Sequence, residues 1–228
     1  MSQLPMTDGQ AVTVDRREGP YGEVVLRERD GLFEIIANGC FLMDTSDGRS
    51  ERRLINAALE ALPEPVCEPS VLIGGLGVGF SLAEAAADPR WGRIVVIERE
   101  PAVIDWHRSG PLNRFSASAL GDPRVAVVEA DLLDHLASST DHYDALCLDI
   151  DNGPDWLVTG SNAGLYAGAG LALLRRRLAP GGVLAVWSAQ PSTVFEERLR
   201  DAGFSRVWTL EIPVPRGAPD IVHLATMA

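Results

Sequence analysis

The sequence predicts an α/β fold in which helices cover both faces of a mostly parallel, seven-stranded sheet. From Ser70 onward, short apolar runs alternate with stretches of helical periodicity. Strands buried on both faces have this composition, and their alternation with helices is typical of parallel sheets. Five parallel strands are expected at residues 71–73, 94–97, 125–128, 145–148 and 183–187, with helices near 82–87, 102–108, 132–138, 165–178 and 193–202. Two later runs, 206–212 and 221–226, predict an antiparallel hairpin on the sheet edge.

The segment before this sheet predicts a small antiparallel β-unit. Asp30-Gly31 and Asn38-Gly39 separate β-rich runs, and such pairs are strong signals for tight hairpin turns. Ser50 is expected to cap a helix that continues to about Leu62. We therefore divide the chain into a loose tail (residues 1–18), a β-hairpin unit with its linking helix (19–62) and a ligand-binding domain (63–228).

Composition and charge narrow the classes of partner. The formal net charge is −12 and no run rich in lysine and arginine occurs, which argues against a nucleic-acid surface. An acidic surface suits a cationic small molecule, although many proteins are acidic only to stay soluble. No apolar run approaches the roughly 20 residues that span a membrane, and residues 1–17 do not resemble a signal peptide. Three widely spaced cysteines predict no metal site and suit a reducing, cytoplasmic compartment.

A glycine-rich loop between a strand and a helix is the strongest functional signal. Four glycines follow the run at 71–73, and an acid, Glu98, ends the next strand 19 residues after the last of them; the glycines are Gly74, Gly75, Gly77 and Gly79. Such a loop lets a ligand approach the backbone, and an acid at this distance is placed to hold a ribose. Dinucleotide binding would require a glycine at Phe80, so the spacing favours a nucleoside without a pyrophosphate. A nicotinamide cofactor, or a merely structural turn, remains the alternative.

Two further acids follow predicted strands. Asp131 and Asp149 come at the carboxyl ends of strands, where ligands bind in open α/β sheets, so both are expected beside Glu98. Their neighbours Arg99 and Leu132 are assigned to the same cofactor site. Asp131 can instead serve as a helix cap, and the two roles are compatible. The four histidines are assigned to packing or to the surface.

Several short motifs, taken in order, resemble one family. They are Gly19-Pro-Tyr-Gly22, Leu72-Ile-Gly-Gly75, Val96-Ile-Glu98, Asp122-Pro-Arg-Val125, Ala130-Asp131, Tyr143-Asp-Ala-Leu-Cys-Leu-Asp149 and Leu178-Ala-Pro-Gly-Gly182. Together with the hairpin unit they resemble the spermidine synthase (polyamine aminopropyltransferase) family. The resemblance implies a Rossmann-like class I methyltransferase fold and a cofactor that is S-adenosylmethionine or its decarboxylated form. It also suggests a homodimer.

The same resemblance implies roles for the acids. Glu98 would hold the ribose hydroxyls, Asp131 the adenine amine, and Asp149 would accept a proton from the attacking amine. The nearby Asp151 is the second candidate catalytic acid. The family carries a second acid in this loop, and in this sequence that acid is either shifted, to Asp151, or lost. The family also has an Asp in its glycine loop, a Gln after the hairpin, and a Tyr followed by His or Gln on the next helix. These positions fall at Gly77, near Leu42, and near Glu51 and Arg52.

These departures lead to a specific expectation. Without the loop Asp, Gly77 is expected to leave room for a carboxylate, so that intact S-adenosylmethionine serves as donor. We therefore expect a transferase that methylates an amine or another small nucleophile. The alternatives are aminopropyl transfer from decarboxylated S-adenosylmethionine to a diamine, and a non-catalytic homologue that only binds the nucleoside.

Overall fold

Two β-sheets and a helix between them organise the chain. The computed structural model describes residues 10–64, 67–157, 160–215 and 217–227. The first sheet is antiparallel, with its strands in chain order: β1 (Val12–Gly19), β2 (Gly22–Arg29), β3 (Leu32–Ala37) and β4 (Cys40–Asp44). Its tight turns fall at the predicted Asp-Gly and Asn-Gly pairs, where Asp30 and Asn38 adopt positive φ angles of 52° and 51°. These residue types tolerate the left-handed conformation that such turns require.

The expectation of a loose tail at residues 1–18 is wrong for its second half. Residues 12–18 belong to β1, which pairs along its length with β2. Two contacts to the helix α3 (Pro101–Arg108) hold β1 in place: Trp106 Nε1 donates to Asp15 Oδ2 at 2.8 Å, and Arg17 Nη1 lies 2.7 Å from Asp105 Oδ2. These partners are far away in sequence, so local pattern could not show them. Residues 1–9 lie outside the described part of the chain.

The helix α1 (Arg49–Ala61) follows the small sheet but packs against the large one. Its buried Leu54, Ile55 and Ala58 form the predicted apolar face, and the helix contacts four strands of the large sheet and the helix α2 (Phe80–Ala87). The predicted cap is wrong: Gly48 occupies the N-cap position, and the Ser50 hydroxyl instead donates to Asp220 Oδ2 at 2.6 Å.

The seven-stranded sheet has the predicted mixed topology. Its spatial order is β10-β11-β9-β8-β5-β6-β7, in which β5 to β9 are parallel and the last two strands form an antiparallel hairpin beside β9. The strands are β5 (Ser70–Gly74), β6 (Arg93–Glu98), β7 (Val125–Glu129), β8 (Tyr143–Leu148), β9 (Leu178–Ser188), β10 (Arg206–Ile212) and β11 (Asp220–Thr226). The predicted fold class is therefore confirmed.

Helices lie on both faces of this sheet and enclose two hydrophobic cores. After α2 and α3 come α4 (Asn113–Leu120), α5 (Leu132–Ser138), α6 (Gly168–Arg177) and α7 (Thr193–Asp201). The sequence did not predict α4, whose serines and alanines give only a weak apolar stripe. No helix within the described ranges is long and apolar enough to cross a membrane.

The order of the strands determines where a ligand can bind. After β5 the chain moves to β6 and β7 on one side, and then returns to place β8 on the other side of β5. Loops at the carboxyl ends of β5 and β8 therefore diverge and leave a crevice between them. The glycine loop and Asp149 lie at these two ends.

Candidate functional site

A cavity of about 860 Å³ occupies this crevice. The ends of the parallel strands form its floor, and residues of the small sheet, including Leu42, Met43 and Asp44, form the opposite wall. Its size is that of a pocket for a small organic ligand. It contacts most of the predicted site residues, namely Gly75, Gly77, Glu98, Arg99, Asp131, Leu132, Asp149 and Asp151. Gly74 and Gly79 are not in contact with the cavity and shape the loop from within.

The glycine loop follows the predicted path. Gly75 has a φ of +93°, and a Cβ atom there would collide with the backbone oxygen of Asp149. This close approach of the loop to the end of β8 excludes any larger residue at position 75. Gly74 ends β5 against Leu132, and Gly79 is the N-cap of α2.

Glu98 is anchored by the backbone of two loops. Its Oε2 accepts from Leu76 N at 2.9 Å, and its Oε1 accepts from Glu100 N at 2.8 Å. The side chain is 8% exposed, and burial raises the pKa of this carboxyl above its ordinary value in spite of these bonds. The arrangement fixes the carboxylate at the rim of the glycine loop, where it faces the cavity.

Asp131 is a helix cap, as one of its two predicted roles requires, and it also lines the cavity. Its Oδ1 accepts from Leu133 N at 2.9 Å and from Asp134 N at 3.3 Å, so it caps α5 while it lines the cavity. Nearby, the Arg99 guanidinium lies 4.4 Å from the centre of the Tyr21 ring. The turn between β1 and β2, which carries Tyr21, thus packs on a residue that lines the cavity.

Part of the expected space beside Gly77 is occupied by Met43, although both residues line the cavity. A Cβ atom on Gly77, whose φ is +50°, would collide with the Met43 sulfur. The thioether of β4 therefore occupies the position that a side chain on residue 77 would take. Sequence reasoning missed this because Met43 comes from the other sheet, 34 positions earlier in the chain.

Three carboxyl groups from different elements surround the other end of the cavity. Asp149 follows β8 and accepts from Ser81 Oγ at 3.2 Å, Glu51 lies in the first turn of α1, and Asp220 begins β11. Burial, and then the Asp149 charge, raise the pKa of Glu51 to about 8. Burial and the Asp220 charge raise the pKa of Asp149 to about 6, against a smaller opposing effect of the Ser81 hydrogen bond.

Arg52 offsets the acidic charge of this end only in part, since its charge affects the pKa of Glu51 less than burial or the Asp149 charge and acts to lower it. Its guanidinium lies 4.6 Å from the centre of the Phe80 ring, and its Nε is 3.8 Å from Glu84 Oε2. Glu51 and Asp220 were not among the predicted site residues. The only sequence signal was that Glu51 falls where the similar family carries a tyrosine.

Asp151 also lies in the wall of the cavity. It is 7% exposed and accepts from Asn162 Nδ2 at 2.8 Å, so it ties the loop after β8 to the segment before α6. Trp156 from the same loop lines the cavity and is 57% exposed. Asp151 is therefore close to Asp149, as predicted, and it also holds the loop in position.

The charge of the cavity indicates the charge of its ligand. Among the described residues that line it, nine are acidic and Arg99 is the single base; the acids are Asp44, Asp47, Glu51, Glu98, Glu100, Asp131, Asp149, Asp151 and Asp220. In the described ranges no group of these side chains is arranged to hold a metal ion. An organic cation is the ligand that this cavity complements.

Comparison with known proteins agrees with the geometry. A polyamine aminopropyltransferase of Streptomyces coelicolor is 33% identical over 211 residues, which is 87% of this chain and 36% of that protein. One from Mycobacterium tuberculosis is 32% identical over 181 residues, 77% of this chain and 32% of that protein. The chain is a homologue of the polyamine aminopropyltransferases. It spans about a third of the length of these two relatives. No family model matches the chain.

Solved structures show the same fold. A spermidine synthase crystallised with the transition-state analogue AdoDATO aligns with a TM-score of 0.76 at 16% identity, over 95% of this chain and 74% of that one. The predicted resemblance is thus confirmed for the family and for the fold. Both relatives are named for aminopropyl transfer, and neither is named for methyl transfer, which is the first expectation from the sequence.

Proposed function

We propose that the protein transfers an aminopropyl group from decarboxylated S-adenosylmethionine to a cationic amine, such as a diamine. The observation that carries this proposal is the acidic cavity, which joins the glycine loop to Asp149 without a break. Both substrates are cations, because the donor has a sulfonium and an ammonium group and the acceptor has ammonium groups. The names of the homologues support the same reaction.

The nucleoside of the donor fits the end formed by the glycine loop. Glu98 would accept hydrogen bonds from the ribose hydroxyls, and Asp131, with Leu132 and Arg99 beside it, would hold the adenine. Met43 beside Gly77 supports the decarboxylated donor, since an apolar side chain there offers a carboxylate no hydrogen-bond donor. A carboxylate would also be repelled in a cavity with nine acids.

The chemistry requires a neutral nitrogen next to a sulfonium. The nitrogen lone pair attacks the CH₂ group bonded to sulfur, a C–N bond forms, the C–S bond breaks, and its electron pair remains on the sulfur of a neutral thioether. Because an ammonium nitrogen has no lone pair, one proton leaves it before the attack and Asp149 accepts that proton, and the product nitrogen remains protonated. A pKa of about 6 makes Asp149 ionised but more basic than an ordinary aspartate at neutral pH. Holding both cations in one cavity supplies proximity and orientation.

The acceptor fits the end formed by Glu51, Asp149 and Asp220. A bound ammonium would favour the charged form of Glu51, which burial and Asp149 hold protonated in the empty site. Trp156 can cover an ammonium or alkyl chain at the mouth of the cavity. Asp151 lies beside this path and keeps the loop of Trp156 in place through Asn162.

The decisive experiment combines the purified protein with decarboxylated S-adenosylmethionine and diaminobutane, and measures the products by mass spectrometry. We expect methylthioadenosine and an aminopropylated amine, and Asp149→Asn should abolish turnover while it retains donor binding. Methylated amine and S-adenosylhomocysteine from the intact cofactor would establish methyl transfer instead. Donor binding without turnover for a panel of amines would support the non-catalytic alternative.

The homodimer suggested by the resemblance stays a prediction. The small sheet exposes apolar side chains, with Val12 62% and Phe41 51% exposed, which is compatible with a contact between copies. Light scattering of the wild type and of a Val12→Lys/Phe41→Lys variant would test it. A monomeric wild type would contradict it.

A further inference from the structure

A buried histidine that the proposed chemistry does not use lies directly behind the glycine loop. His107 of α3 is fully buried, with 0% of its surface exposed. Its Nε2 is 2.8 Å from the Gly77 carbonyl oxygen, and its Nδ1 is 2.7 Å from Ser116 Oγ of α4. One side chain thus connects two helices to the centre of the loop.

The partners determine where the hydrogens lie. A carbonyl oxygen can only accept, so Nε2 carries the hydrogen in the bond to Gly77. In a neutral ring Nδ1 must then accept, and the Ser116 hydroxyl donates to it. Burial lowers the pKa of His107, although the backbone oxygens of Gly77 and Leu112 oppose this effect, and the ring is therefore neutral at neutral pH.

The ring also contacts the loop through packing. A Cβ atom on Gly79 would lie 2.8 Å from His107 Cε1, so the imidazole fills the space under the N-cap of α2. Gly77 itself has few intrinsic restraints, since glycine adopts positive and negative φ about equally well. A loop of such residues needs an external contact to hold one orientation of its peptide groups.

We propose that His107 is a positioning residue for the donor, which fixes the Gly77 peptide through the hydrogen bond from Nε2. Because the peptide is planar and trans, a carbonyl held towards His107 directs the following N–H away from it. The orientation of the loop that lines the cavity is thereby set from behind, without contact between the imidazole and the ligand. This inference rests on the proposed function in that the loop binds the donor nucleoside.

A pair of substitutions separates the hydrogen bond from the packing. His107→Gln places an amide nitrogen the same number of bonds from the backbone and keeps a donor, whereas His107→Leu fills similar space without one. We expect His107→Leu to weaken binding of decarboxylated S-adenosylmethionine about five- to tenfold, the effect of one neutral hydrogen bond. His107→Gln should stay within about twofold to threefold, and the KM for the amine should be unchanged in both. Equal donor affinity in folded His107→Leu would overturn the proposal.

Two further measurements keep the inference testable. If His107→Leu does not fold, Ser116→Ala replaces it: the ring then loses the hydrogen bond that fixes Nδ1 and is held less firmly against Gly77, and we expect weaker donor binding. If the wild type binds no donor, the proposed function fails. Amide hydrogen exchange of residues 74–80 in the ligand-free protein then tests the positioning role of His107 by itself. Faster exchange in His107→Leu, restored by His107→Gln, would show that the loop is held as inferred, and unchanged exchange would refute it.

Discussion

Glu51→Gln should remove a pH dependence from the stability of the ligand-free protein. The pKa of Glu51 is raised from an ordinary 4.5 to about 8, so the folded state binds this proton more tightly than the unfolded state. Its contribution to stability is complete below the unfolded pKa and is lost as the pH rises through the folded pKa. Between about pH 6 and pH 8 the loss amounts to about 2 kcal/mol.

In Glu51→Gln the free energy of unfolding should fall by less than about 0.5 kcal/mol over the same pH range. Of Glu51 and Asp149, only Asp149, with a pKa of about 6, then still titrates. Urea unfolding, followed by circular dichroism at several pH values, gives the free energy directly. Glu60→Gln is a matched control, since Glu60 lies on the same helix and is exposed. If the free energy of unfolding changes equally with pH in the wild type and in Glu51→Gln, Glu51 does not hold the proton described here.

Three other predictions concern the acceptor, the loop and the small sheet. At pH 7 Glu51, with a pKa of about 8, holds about 0.9 of a proton, so binding of diaminobutane should release most of that proton. Calorimetry in two buffers of different ionisation enthalpy measures the release. No proton release on binding would contradict the assignment to Glu51. Gly75→Ala should abolish donor binding and cost at least about 1–3 kcal/mol, because its Cβ collides with the Asp149 backbone; calorimetric affinity equal to that of the wild type would contradict this. Trp106→Phe should cost about 1 kcal/mol through loss of the bond to Asp15, as measured by urea unfolding, and an unchanged midpoint would refute that role.

The sequence by itself determined the fold class and the loop at which we propose that the nucleoside binds. Apolar runs of strand length between helices leave few topologies, and the glycine spacing with Glu98 at the next strand end describes a local loop and its neighbour. For the same reason Asp131 and Asp149 could be placed at one edge of the sheet. The turn pairs at Asp30 and Asn38 predicted the hairpins because a two-residue turn depends on local conformation alone.

The tertiary structure alone decided what surrounds that loop. Met43 against Gly77 and His107 behind it come from segments far from the glycines in sequence, and both reach the loop through packing between elements. The end of the cavity at which we propose that the acceptor binds depends in the same way on α1, β8 and β11, which bring Glu51 and Asp220 to Asp149. Strand β1 is a strand because of its pairing and its contacts with Trp106. Local sequence encodes propensity and turns, whereas the charge and shape of a cavity arise from residues that meet only after the chain has folded.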